Sequence, residues 1–334
     1  MRVLVVKTSS LGDIIHTLPA LTDAARALPD IVFDWIAEEN FTEIPSWHPA
    51  VERVVPVAIR RWRKNLLTTW RSGEYRACRR ELNQRRYDCV IDAQGLFKST
   101  WIAHWAGAPV IGLDKRSARE PLVSLTYQRK VGVSWRLHAV ERVRILFAQA
   151  LGYAVPTDTG DYGLDKARFG QPRPHGERRH VVFLHGTTRA DKHWPESYWQ
   201  QLCARVTQAG FDVVLPWGND VERQRAERIA AVSSQARVLP RMSLEGLAAV
   251  LVQSAAAVAV DTGLGHLAAA LDVPALSLYG PTSPALIGAY GRHQIHLSAK
   301  GLPMPAAPVE PRAMAPLTPT VVWQALLPLL GAAT

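Results

Sequence analysis

The stretch AAVAVDTGLGHLAAAL, Ala256–Leu271, decides how the chain is read. Ala256 to Val260 is a short apolar run of strand type. Asp261-Thr262-Gly263 makes a polar turn, and an Ala/Leu-rich helix begins near Leu264. A strand, tight turn and helix in succession gather unpaired backbone N–H groups at one point, where an anionic group can bind. Asp261 and Thr262 lie at the carboxyl end of the strand, the edge of an α/β sheet where ligands sit. Asp and Thr are also common helix N-caps, so Asp261 alone leaves a structural and a functional reading open. His266 falls roughly one turn into the helix.

The same unit recurs in both directions. Upstream, Arg2–Val6 (RVLVV) reads as a central parallel strand, KTSSLGD as its loop and Ile14–Leu28 as its helix. Further strands are expected at Ile31–Ala37, Val51–Val57, Tyr87–Ala93 and Pro109–Gly112, with a helix at His138–Leu151. Asp165–Arg179, rich in Pro, Gly and Arg, suits a linker. The pattern then restarts at His180–His185 and continues through Phe211–Leu215, Arg237–Leu239, the opening stretch and Ala275–Tyr279. Residues 301–319 are Pro/Ala-rich and read as irregular, and Thr320–Leu330 as a last helix. This predicts an α/β protein of two tandem Rossmann-like domains, 1–164 and 180–316, joined by 165–179, with a cleft between them. Neither opening loop carries GxGxxG or a Walker A loop, which counts against a nicotinamide-dependent oxidoreductase and a P-loop enzyme.

Composition narrows the class. The 334 residues are 48% hydrophobic and 20% charged, a globular balance. Three widely spaced cysteines indicate neither a disulfide framework nor a zinc site. No apolar run reaches the ~20 residues of a membrane span, and Lys7 interrupts the N-terminal run, so no signal peptide is expected. These features predict a soluble, cytoplasmic protein. Ten basic residues between Arg60 and Arg86 stand against Glu74 and Glu81, so this segment carries +8 of the chain's net +10. Beside Trp62, Trp70 and Tyr75, that patch suits an anionic partner: an acidic sugar, anionic lipid or nucleic acid. The bland alternative is a solvated helix face, and no nucleic-acid motif accompanies it.

The loops hold the chemistry. Gly186-Thr187-Thr188 follows a strand and offers amides and hydroxyls, with Arg189 and Lys192 as nearby cations. That mixture suits a phosphate-bearing ligand. Asp13, at the start of the first helix, is either a residue favoured by the helix dipole or a carboxylate at a ligand edge.

Taken together, KTSSLGD with HTLPAL, DAQGLFKS, LHGTTRADKHWP, PWGND, RMSLEG, DTGLGHLAAAL and YGPTSP resemble the lipopolysaccharide heptosyltransferases, glycosyltransferase family 9, across nearly the whole chain. Within the family they most resemble the enzymes that add the first heptose. Gly186 and Gly265 stand where other members often carry Ala and Ser. The resemblance implies a GT-B fold whose last helix, within 317–334, crosses back to the first domain. It also implies metal-free, inverting transfer of heptose from ADP-heptose to the first Kdo of Kdo2-lipid A, with no cofactor. By the same resemblance Asp13 is the base. Thr187, Thr188 and Lys192 bind the diphosphate, helped by Thr262, Gly263 and His266 at the helix start. Asp261 bonds sugar hydroxyls, Glu222 the ribose and the Met242 backbone the adenine. Arg60, Arg61, Arg63 and Lys64 meet the acceptor's acidic groups, with Lys7, Gln94, Lys98 and Arg119 as weaker candidates. The implied workplace is the cytoplasmic face of the inner membrane. The alternatives are a sister enzyme adding the second heptose and, distantly, a nucleic-acid-binding protein using residues 60–86.

Overall fold

The computed structural model describes residues 1–64, 72–170 and 179–331. Trp70 and Arg71 of the basic segment, most of the expected linker and the last three residues lie outside these. The chain divides into two compact units, Met1–Leu164 and Asp165–Thr334.

The first unit holds one parallel sheet: β1 (Arg2–Val6), β2 (Val32–Glu38), β3 (Val51–Val57), β4 (Cys89–Asp92), β5 (Val110–Leu113) and β6 (Arg129–Val131). Their order is β3-β2-β1-β4-β5-β6. β1 lies between β2 and β4, with Val5 level with Trp35 on one side and Ile91 on the other. Parallel strands covered by helices on both faces must be apolar throughout, and Val3, Leu4, Val5 and Val6 are completely buried.

The second unit repeats the plan with β7 (His180–Leu184), β8 (Asp212–Leu215), β9 (Ala236–Val238), β10 (Ala256–Val260), β11 (Ala275–Tyr279) and β12 (Gln294–Ser298). Read from its other edge, the order β9-β8-β7-β10-β11-β12 matches the first sheet. In both units the first strand therefore has the second on one side and the fourth on the other. The chain winds outward in opposite directions from that pair. At their carboxyl ends such a reversal leaves a crevice that helix connections do not cover, and ligands bind there.

Several elements differ from the sequence expectation for identifiable reasons. The single helix expected over Ile14–Leu28 is two, Leu11–Ile15 and Leu18–Ala27. Pro19 lacks the N–H that would continue the first helix, so the chain restarts with the proline in the new first turn. The strands β6 and β12 occupy sheet edges, where one-sided burial requires no apolar run; RKV and QIHLS do not stand out. The segment expected as a linker opens with a 3-10 turn, Lys166–Phe169, capped by the Asp165 carboxylate accepting from Ala167 N at 2.9 Å.

Residues 301–319 are irregular but fixed in place. Met314, Ala315 and Leu317 are buried, and Trp194 Nε1 donates to the Leu317 carbonyl at 2.7 Å. Gly280 admits this segment, because a Cβ there would lie 2.5 Å from Met314 Sδ. The closing helix, Pro319–Gly331, packs on the helix Glu196–Gln208 and on β10, β11 and β12.

Candidate functional site

Each unit places a polar constellation at the carboxyl ends of its central strand pair. In the first unit the loops after β1 and β4 are tied together. Gln94 Oε1 accepts from Thr8 N at 2.8 Å and Ser9 N at 3.3 Å, while its Nε2 donates to the Ser9 carbonyl at 2.7 Å. The β4 loop is itself shaped by Asp92, which is wholly buried. One carboxylate oxygen accepts from Gln94 N and Gly95 N, the other from Ser99 Oγ and Tyr127 Oη. Burial pushes the Asp92 carboxyl up from its ordinary value, against those four donors. Gln94 and Asp92 thus brace these loops, and Gln94, one of the weaker acceptor candidates, is held at the ends of β1 and β4 by these bonds.

Lys7 and Asp13 share this braced pocket of loops. Lys7 is buried, and its ammonium donates to the Ala93 carbonyl at 2.8 Å. Burial pulls its pKa down, partly opposed by Asp13 and Asp92. Asp13 caps its own helix by accepting from Ser10 N at 2.9 Å and Ser10 Oγ at 2.8 Å, so the bland reading holds as geometry. Its electrostatics go further. Burial would raise the carboxyl, but Lys7, the two Ser10 hydrogen bonds and Arg119 outweigh it and hold Asp13 below the usual carboxylate range. A carboxylate held ionised in this way is available to accept a proton at neutral pH, although its depressed pKa makes it a weaker base.

Arg142 joins this group without having been singled out in the sequence. Its guanidinium stacks 3.5 Å over Trp135 and donates to the Ser117 carbonyl. Its Nε is buried without a hydrogen-bond partner among the described residues. Burial lowers its pKa, and the Asp13 charge opposes that shift. Nothing local in the helix Ala139–Leu151 marks Arg142 out, because its role depends on residues far away in sequence.

In the second unit three loops converge on Asp261. Lys192 Nζ donates to Asp261 Oδ2 at 2.6 Å, with side-chain exposures of 15% and 7%. Thr282 Oγ1 donates to the same oxygen at 2.8 Å, and Thr187 Oγ1 to the Asp261 carbonyl at 3.1 Å. The loops after β7, β10 and β11 are thereby pinned at the crevice between β7 and β10. The helix Gly263–Ala270 starts there with Thr262 extended at its N-cap and no side-chain cap, so its first amides are not spent on a capping side chain. Thr282 lies in the YGPTSP motif, which carries the family resemblance, but the motif by itself gives this hydroxyl no partner.

The remaining donor candidates take clear positions. Glu222 accepts from Gly218 N at 2.8 Å and lies against Gly186, where a Cβ would come within 2.9 Å of the carboxylate. Thr188 is exposed, and Met242 is half-buried in the turn before the helix Leu244–Val252. His266 is buried in the first turn of the helix Gly263–Ala270. Among the described residues no cluster of three or more His, Cys, Asp or Glu could hold a metal ion.

The basic segment divides. Arg60, Arg63 and Lys64 are exposed, with Arg60 over the Phe41 ring at 5.5 Å. Arg61 is instead held by Glu39 at 3.2 Å and Glu74 at 2.9 Å, two carboxylates that neutralise it within the protein. Lys98 is half-buried on the helix Phe97–Ala103, and Arg119 is exposed.

Known proteins resemble this chain over most of its length. The family model described as glycosyltransferase family 9 (heptosyltransferase) matches residues 75–312. Lipopolysaccharide heptosyltransferase 1 of Pseudomonas aeruginosa is 60% identical over 309 residues, covering 92% of this chain and 86% of that protein. The enzyme of the same name from Escherichia coli K12 is 52% identical over 296 residues, covering 88% and 92%. The solved structure of E. coli heptosyltransferase WaaC with ADP superposes with a TM-score of 0.90 at 48% identity, covering 98% of this chain and 100% of that one. Lipopolysaccharide heptosyltransferase 2 of Salmonella typhimurium is more distant, 25% identical over 302 residues and covering 85% of this chain and 84% of that protein.

Proposed function

Because the chain belongs to glycosyltransferase family 9, the heptosyltransferases, and has their GT-B architecture, we propose that it transfers heptose from ADP-heptose to the first Kdo of Kdo2-lipid A. The observation that carries the donor side is the convergence of Lys192, Thr187 and Thr282 on Asp261, beside an open helix start. An ammonium has three donors and Asp261 takes one, which leaves others for a diphosphate. The amides at Thr262 and Gly263 add fixed partial positive charge.

In the proposed reaction the acceptor hydroxyl attacks the anomeric carbon and Asp13 takes its proton. The bond from that carbon to the diphosphate oxygen breaks on the opposite face, inverting the centre. The released charge settles on the diphosphate, where Lys192 and the backbone donors stabilise it as it develops. Asp13 suits its part because Lys7 and Ser10 keep it ionised, while the attacking hydroxyl becomes acidic only as the new bond forms. Arg60, Arg63 and Lys64 supply exposed cations for the acceptor's acidic groups. The acceptor is a lipid, so the protein works as a peripheral enzyme at the cytoplasmic face of the inner membrane.

First-heptose addition is favoured over second by the relatives, 60% identity to a protein named heptosyltransferase 1 against 25% to one named heptosyltransferase 2. The test offers the purified protein ADP-heptose with Kdo2-lipid A, bare or already carrying one heptose. Transfer to the bare acceptor alone is expected. Transfer only to the heptosylated one would assign the second step, and transfer to neither would refute the reading.

A further inference from the structure

Four large apolar side chains are exposed on two hydrogen-bonded elements of the first unit. Phe97 is 53% exposed and Trp101 56%, four residues apart and hence on one face of the helix Phe97–Ala103. Leu122 is 64% exposed and Leu125 72%, three apart in the 3-10 helix Pro121–Thr126, whose three-residue turn stacks them on one side. The two elements are fastened together at both ends. Phe97 N donates to Glu120 Oε2 at 2.6 Å, Thr100 and Thr126 share a hydroxyl hydrogen bond at 2.9 Å, and His104 Nε2 bonds the Thr126 carbonyl at 3.1 Å. Single exposed apolar residues are ordinary; four on two bonded elements form a patch, and a patch marks an interaction surface.

Its surroundings are basic. Lys98 lies within the same helix, and Arg119 comes two residues before the 3-10 helix, separated from it by its N-cap Glu120. On the other side Trp101 packs edge-on against Trp105 at 4.7 Å, and Trp105 meets Tyr75 at 6.5 Å. Tyr75 lies in the first turn of the helix Glu74–Leu82, after Glu74, which is paired with Arg61, and Arg76, Arg79 and Arg80 line a groove with Tyr75 and Asn83. Building on the reading of the acceptor as a membrane lipid, we propose that Phe97, Trp101, Leu122 and Leu125 form a wedge that inserts into an anionic phospholipid bilayer. On this account Arg76, Arg79 and Arg80 meet its headgroups.

Charge complementarity selects this occupant. An apolar face with Trp and Leu, rimmed by Arg and Lys, combines insertion at the headgroup boundary with attraction to anionic lipid, and stable peripheral binding needs both. A second copy packed face to face would bring each basic rim against its own like. The patch is also continuous with Lys98 and Arg119, so binding through it would keep the acceptor-side loops near the surface that displays a lipid-borne sugar.

The test measures binding of the full chain to acceptor-free vesicles of phosphatidylethanolamine and phosphatidylglycerol, against vesicles of phosphatidylcholine alone. The wild type is expected to bind the first and not the second. Leu122→Ser with Leu125→Ser is expected to weaken binding about tenfold or more. Arg79→Gln with Arg80→Gln is expected to remove the dependence on phosphatidylglycerol content. Both variants should keep the wild-type melting temperature and full transfer to an acceptor stripped of its acyl chains. Wild-type vesicle affinity in the leucine variant would overturn the proposal, as would a leucine variant whose only change is in oligomeric state. Failure of the heptosyltransferase reading would show separately, as no transfer to the stripped acceptor whatever the vesicles report.

Discussion

Replacing Lys192 by Ala separates two effects that the structure combines in one ion pair. The 2.6 Å contact joins an ammonium and a carboxylate that are both mostly buried. Its loss leaves the Asp261 carboxylate held, among the described residues, by the Thr282 hydroxyl. A charge-assisted hydrogen bond of this kind contributes about 2 kcal/mol, less than a fully abandoned buried charge would cost. For a unit the size of Asp165–Thr334 this corresponds to a fall of roughly 4–8 °C in melting temperature. Donor use should fall independently by about 1–3 kcal/mol of transition-state stabilisation, roughly fivefold to a hundred-and-fiftyfold in kcat/KM. Adding Asp261→Asn to Lys192→Ala removes the stranded charge while keeping an oxygen for sugar hydroxyls. Calorimetric melting and ADP-heptose kinetics on the single and double variants then give the answer. Stability should recover in the double variant while the donor defect persists. If kinetics recover together with stability, Lys192 is only a structural partner of Asp261, and the diphosphate assignment fails.

Three further outcomes are expected. Asp13→Asn keeps an oxygen for Ser10 but removes the base, so turnover should drop about a hundredfold or more with ADP affinity unchanged; near-normal turnover, measured beside ADP titration calorimetry, would remove Asp13 from the chemistry. Lys7→Met withdraws the strongest charge holding the Asp13 carboxyl down, so the acid limb of the kcat/KM–pH profile should move to higher pH. For stability, a depressed carboxyl contributes above its unfolded pKa and loses this as pH falls through the folded one, so in the variant the contribution is smaller and its loss is complete at a higher pH; an unmoved limb would dismiss Lys7 as the cause. Treatment with EDTA should leave the rate unchanged, since Lys192 and backbone donors carry the leaving group on this account; a loss restored by magnesium would contradict it.

What could be read from the sequence followed burial. Strands covered on both faces must be continuously apolar, and Ala256–Val260 and Ala275–Tyr279 are found with their expected ends; Val51–Val57, an edge strand carrying Glu52 and Arg53, showed through its alternating valines. The edge strands β6 and β12, half-covered, gave no such signal. Pro19 was a visible breaker inside the first expected helix, and the apolar period around it masked its effect. Loop residues could be placed at sheet edges, since a residue just after a strand has nowhere else to go. Their partners could not. Thr282 reaches Asp261 across 21 residues, Arg61 is neutralised by Glu39 and Glu74 from opposite directions, and Gln94 spans 86 residues to Thr8. These pairings depend on strand order, and no local periodicity encodes the order in which parallel strands lie. The strand order also explains why the two constellations sit where they do, at the one point in each sheet where the winding reverses.

The measurement that bears most directly on this account is a crystal structure of the protein soaked with ADP. The diphosphate should lie against Lys192, Thr187 and the amides of Thr262 and Gly263, at the carboxyl ends of β7 and β10. ADP bound instead among Lys7, Asp13 and Gln94, at the ends of β1 and β4, would contradict it.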